Sequence, residues 1–143
     1  MKRSLYILIF IISTLGCKND QDVMDSPQSA MASIGGKWLL TEMEQSVNGK
    51  NVWMPAITLQ PEFIVFRYDG VILNGEEKAG CCSPKILNVN KSSFEIKPQE
   101  PIQYGTDCAA VLCGPCQVWD ISLSGDEMII AKCQSPRTKY VRN

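Results

Sequence analysis

The sequence predicts an all-β fold, a small antiparallel up-and-down β-barrel of about eight strands stabilised by disulfides. Three observations carry this expectation. From Gly35 onward the chain breaks into short strand-like runs separated by turn pairs such as Asn48-Gly49, Asp69-Gly70 and Asn74-Gly75. No segment has the apolar spacing of a convincing amphipathic helix. Six cysteines lie between residues 81 and 133, an even set of the kind that cross-links small exported domains. Serial hairpins with short turns favour a meander over a Greek key, and closure removes exposed strand edges.

In chain order, Lys37 to Gln45 reads as the first strand and ends before Asn48-Gly49, a hairpin signal because both residues tolerate positive φ. Asn51 to Leu59 reads as its partner, with Pro55 marking an edge, a bulge or a break. Glu62 to Tyr68 is the clearest strand, and Val71 to Leu73 is a short successor. Lys85 to Asn90 and Ser93 to Lys97 flank a further turn. Residues 98–115 form an irregular stretch, long enough to signal either function or covalent pinning. Gln117 to Leu123 and Glu127 to Lys132 flank Ser124-Gly125-Asp126, and Thr138 to Arg142 is the last strand. The alternating pairs Trp38/Leu40, Phe63/Val65 and Val118/Asp120 must turn one set inward. Which set is left open, and in so small a barrel filling is expected over a cavity.

Ahead of the barrel, Lys2 and Arg3 precede an apolar run from Leu5 to Ile12, too short to span a bilayer and laid out like an export signal. Its end, Thr14-Leu15-Gly16-Cys17, resembles the lipobox of bacterial lipoproteins, with Thr14 where leucine is more usual. The resemblance implies cleavage after residue 16, lipidation of Cys17 by acyl chains including palmitate, and a membrane anchor made of lipid alone. Residues 17–33 then read as a lipidated N-terminus and flexible tether, and 34–143 as the barrel domain. Lys18 to Asp22 resembles the charged signals that carry some lipoproteins to the outer face of the outer membrane. The expected location is the outer membrane, on its periplasmic face or the cell surface.

Composition narrows the function. Loss of Lys2 and Arg3 with residues 1–16 turns the formal charge of −1 into −3. A mildly acidic chain without a basic stripe is a poor nucleic-acid binder. Histidine is absent altogether, which removes the usual general base and the commonest metal ligand. No catalytic pair is assigned among Glu76, Glu77, Asp69, Asp107, Asp120, Asp126 and Glu127, most of which stand at turns where carboxylates are solvated. No enzyme activity, cofactor or metal is expected.

With Cys17 given to lipid, Cys81, Cys82, Cys108, Cys113, Cys116 and Cys133 remain as disulfide candidates. Six cysteines allow 15 pairings. A bond between the neighbours Cys81 and Cys82 would strain the intervening peptide, so each is expected to reach a different partner downstream. Each closure would add roughly 3–4 kcal/mol. Cys113-Gly114-Pro115-Cys116 matches the thioredoxin tetrapeptide, but that chemistry needs the first cysteine at a helix N-terminus. Here the following residues alternate like a strand, so a pinned loop is the better reading. A four-cysteine zinc site is chemically possible and disfavoured by an oxidising compartment.

Gly36-Lys37-Trp38, the Phe66-to-Gly70 element FRYDG, the Trp119-Asp120-Ile121 strand, Met128-Ile129-Ile130 and the closing Lys139-Tyr140-Val141-Arg142 occur in an order that resembles the lipocalin-like domains of bacterial lipoproteins, over about residues 34–143. The resemblance implies that Trp38 closes the barrel base with Arg142 stacked over it. It also implies a non-enzymatic, lipid-anchored protein that binds a small apolar ligand or a partner at the envelope. The alternative is a protein-binding barrel that inhibits a secreted hydrolase through the pinned 98–115 loop. A thiol-disulfide oxidoreductase using Cys113 and Cys116 is the least favoured reading.

Overall fold

A computed structural model describes residues 26–105 and 108–143. The expected signal segment, Cys17, residues 18–25 and Asp107 lie outside the described residues.

The domain begins earlier than the sequence implies. Residues 27–33, expected as tether, belong to the helix α1, Pro27–Ile34. Ser26 caps it by accepting a hydrogen bond from the Ser29 amide at 3.1 Å, and Pro27 supplies a first-turn φ already suited to a helix. Ala30, Met31 and Ile34 are buried in the core, and the Trp38 indole donates to the Ile34 carbonyl at 2.8 Å. An eight-residue helix is marginal alone, so this packing is what holds it.

Nine strands follow: β1 Gly36–Val47, β2 Lys50–Pro55, β3 Phe63–Phe66, β4 Ile72–Asn74, β5 Ile86–Val89, β6 Ser92–Glu95, β7 Val118–Ser124, β8 Glu127–Lys132 and β9 Thr138–Arg142. Eight of them make one curled, half-barrel sheet in the order β4-β3-β1-β9-β8-β7-β5-β6, and β2 pairs with the far part of β1. The turns use the expected chemistry, with Asn48 and Gly49 at φ of 52° and 74° and Asn90 and Lys91 at 47° and 76°.

The path differs from a pure meander at two places: β4 and β5, consecutive in the chain, are not paired, so the sheet stays open between β4 and β6, and β7 bypasses β6 to pair with β5. β5 and β7 are parallel, Leu87 opposite Trp119 and Val89 opposite Ile121. The irregular stretch after β6 carries the chain across the start of β5, so β7 enters on its other side and in the same direction. A parallel pair requires such a long crossover, which accounts for the length of the 98–115 segment. β4 and β6 end the hydrogen-bonded path, and the seam between them is filled by residues 96–105. There the Ala79 amide donates to the Gln103 carbonyl, the Gln99 amide donates to Asp69, and Arg67 donates to the Glu100 carbonyl.

The inward set is now defined. Trp38, Ile64, Phe66, Leu87, Val89, Trp119, Ile121, Met128, Ile130 and Tyr140 join the helix residues in one core. Phe63/Val65 and Val118/Asp120 are the sets that turn away. The half-barrel interior is thus filled by side chains, as expected for so small a barrel.

The two ends of the sheet differ. One end, where β1 begins and β9 finishes, is covered by α1. At the other end β3 starts, β8 finishes, and β1 runs on with β2 as a projecting hairpin. This second end is open.

Candidate functional site at the open end

At the covered end, Arg142 lies opposite Trp38 in the β1–β9 ladder, and its guanidinium stacks over the indole at 4.2 Å. Its Nη atoms donate to the carbonyls of Ser33 and Gly35, and its Nε to Asp126 at 3.3 Å. The carbonyls at the end of α1 would otherwise lack partners. This cluster closes and stiffens that end.

Asp69 differs from the solvated turn acid expected for a residue beside Gly70. It is buried and accepts hydrogen bonds from Arg67 Nε and Nη2 at 2.8 and 2.7 Å, and from the amides of Gln99 and Val71. Arg67 and these amides hold its carboxyl down at about 2. The role is structural, because one carboxylate ties β3, the turn and the seam together. Asp120 accepts from Asn88 on the outer face, Glu76 pairs with Lys78, and Glu127 lies 4.0 Å from Lys139. None of these carboxylates faces another in a way that would separate their acidities.

All three disulfides gather at the open end. They join Cys81 to Cys108, Cys82 to Cys113, and Cys116 to Cys133. The neighbours Cys81 and Cys82 therefore do reach different downstream partners. Cys113 and Cys116 belong to two separate bonds, so the CGPC tetrapeptide is a junction between clamps, with β7 beginning two residues after Cys116. The six thiols are consumed, and among the described residues no group of histidine, cysteine, aspartate or glutamate side chains is placed to hold a metal ion.

The clamps shape the surface. Residues 109–112 run between Cys108 and Cys113, each tied to one of two adjacent residues, and Leu112 at their end is 99% exposed. Across the opening, the loop between β2 and β3 displays Ile57, 98% exposed, and the fully exposed Leu59. On the projecting hairpin, Met43 lies opposite Met54 and Gln45 opposite Val52, which sets both methionines and Val52 on one face, all exposed. Trp53 is on the other face, with Lys139 Nζ 5.0 Å and Arg137 5.5 Å from its ring, and Arg137 forked onto Glu44. Among the described residues, eleven large apolar side chains are exposed, and all but Tyr68 belong to segments at or beyond the open end.

At the rim, open to solvent, lies a shallow cavity of about 340 Å³ lined by Phe63, Ile64, Ile72, Trp119, Tyr140 and Lys132 together with Asn74, Gly80 and Ser83. Lys132 is the inward continuation of Met128 and Ile130, four and two residues on along β8. That spacing was a readable signal for an inward lysine, as was its place in a strand otherwise apolar on that face. Its Nζ stands 4.4 Å over the Trp119 ring. Burial pushes its amine down from the usual lysine range, with Glu62 opposing at longer distance, and burial pushes the Tyr140 phenol up. None of the ion pairs among the described residues includes Lys132.

The chain matches no family profile, no curated protein and no solved structure.

Proposed function

We infer that this chain is a lipid-anchored, lipocalin-like lipoprotein of the bacterial outer membrane, without enzymatic activity, that captures a protein partner with its open end. One observation carries the reading, the concentration of exposed large apolar side chains at that end. Contiguous exposed apolar surface is costly in a lone soluble domain and marks interaction sites. Clamping by disulfides lowers the conformational entropy lost when loops dock, which favours binding by the 109–112 and neighbouring segments. The filled interior weighs against a small apolar ligand held inside the half-barrel.

The anchor fits this orientation. Nine residue steps separate Cys17 from Ser26, a reach of about 30 Å when extended. A lipid on Cys17 would keep the helix-covered end toward the membrane and the rim toward solvent. Palmitate incorporation into the full chain, lost in Cys17→Ser, tests the anchor, and unlabelled wild-type protein would contradict it.

A second reading, inhibition of a secreted hydrolase, is favoured by the same short clamped segment, where Leu112 projects from a loop fixed at both ends. Both readings predict that Leu59→Asp and Leu112→Asp abolish partner capture by the oxidised protein while Lys91→Glu at the covered end leaves it intact. Inhibition would add a loss of hydrolase activity on binding that Leu112→Asp alone relieves. Capture unaffected by both rim changes would contradict both readings.

A further inference from the structure

Lys132 combines three features. Its backbone position turns it toward the interior, its amine sits against the Trp119 ring in a cavity of mixed apolar and polar lining, and no carboxylate within the described residues forms an ion pair with it. Lys132 is half-buried, and an ammonium that has lost part of its hydration gains from a counter-charge that replaces it. The Trp119 face offsets part of that loss, and Glu62 acts only from a distance. Three other cations at this end are paired: Lys78 with Glu76, Arg137 with Glu44 and Lys139 with Glu42.

We propose that the cavity at the open end receives a carboxylate carried on an apolar stem from an acidic segment of the protein partner, and that Lys132 is the charge that pairs with it. The inference rests on the reading of this end as a partner-binding face. A single positive charge beside the Trp119, Phe63 and Tyr140 side chains matches one carboxylate next to a hydrophobic side chain. A phosphate-rich ligand calls for several clustered cations, which this opening lacks. A peptide can bury its stem against the Phe63, Ile64 and Tyr140 side chains of the cavity. Closure of the site on binding would strengthen the Lys132 pair by excluding water.

The test uses the oxidised mature chain in detergent with two probes, acetyl-Leu-Leu-Glu-Leu-amide and its glutamine counterpart, followed by the NMR signals of the Trp119 indole and of Ile64 and Ile72. The glutamate peptide is expected to bind at least tenfold more tightly than the glutamine peptide. Lys132→Met, which keeps the stem and removes the charge, should erase that preference, and Lys132→Arg should retain it. Equal binding of the two peptides, no perturbation by either, or a preference that survives Lys132→Met overturns the proposal. If these outcomes occur while rim substitutions still abolish capture, only the carboxylate pocket falls. If the rim substitutions also have no effect, the reading beneath it falls too.

Discussion

Arg142 stacks on the indole of Trp38 while donating to the carbonyls of Ser33 and Gly35, so one guanidinium holds together the first strand, the last strand and the end of α1. The stack contributes about 0.5–2 kcal/mol and the two carbonyl bonds about 1 kcal/mol each. Arg142→Gln is expected to lower unfolding stability by about 2 kcal/mol in urea. Arg142→Lys should recover less than half, because an ammonium cannot stack and fork at once. Loss of under 0.5 kcal/mol in Arg142→Gln would show that the helix-covered end is held by apolar packing alone.

Asp69 gives the molecule an acid-sensitive seam. Its carboxyl titrates at about 2 in the folded protein against 3.8 for the free side chain. Because the folded value is depressed, the stabilisation is complete above about pH 4 and is lost as pH falls toward 2. A shift of this size corresponds to about 2 kcal/mol. Wild-type stability should fall across that window, and Asp69→Asn should be less stable at neutral pH with a flatter acid limb. An unchanged acid limb in Asp69→Asn would remove this carboxylate as the cause.

The disulfide arrangement predicts a specific fragment map. Partial reduction with stepwise alkylation, needed because Cys81 and Cys82 are adjacent, should yield Cys81–Cys108, Cys82–Cys113 and Cys116–Cys133. Cys133→Ser is expected to cost about 3 kcal/mol by the loop-entropy argument for 17 residues. Insulin reduction should be absent in wild type and in Cys113→Ser alike. A Cys113–Cys116 bond in the native protein would restore the redox reading.

Gly70 sits at φ +85°, and a Cβ there would lie 2.7 Å from Phe94 Cε1 and 3.1 Å from Ile96 Cγ1. Gly70→Ala therefore combines backbone strain with displacement of side chains packed at the β4–β6 seam. A loss of about 2–3 kcal/mol is expected by thermal or urea unfolding. A neutral result would mean that the seam repacks freely.

Much of the sheet was legible from local chemistry. Strands β8 and β9 coincide with the runs Glu127 to Lys132 and Thr138 to Arg142, and Asn48-Gly49 makes the turn its composition requires. The helix was missed because Pro27 to Ile34 is small and mostly polar, with only Ala30, Met31 and Ile34 to bury; Ser26-Pro27 was its one clear start signal. The parallel β5–β7 pair was not legible, since no local residue pattern encodes which distant strand a chain returns to. Adjacency of Cys81 and Cys82 excluded their mutual bond, while the choice among downstream partners depended on that same crossover. Asp69 was misjudged because its turn position hid the Arg67 fork two residues away. Lys132 was overlooked although its spacing from Met128 and Ile130 pointed it inward.

Site-specific photo-cross-linking in intact cells is the decisive test of the proposed open-end binding face. A photoreactive phenylalanine analogue would be placed at Leu59 and Leu112 on the rim and at Tyr68 and Lys91 near the covered end, all exposed positions. A discrete cross-linked species is expected from Leu59 and Leu112 and none from Tyr68 or Lys91. Cross-links from the covered-end positions alone, or from none of the four, would contradict it.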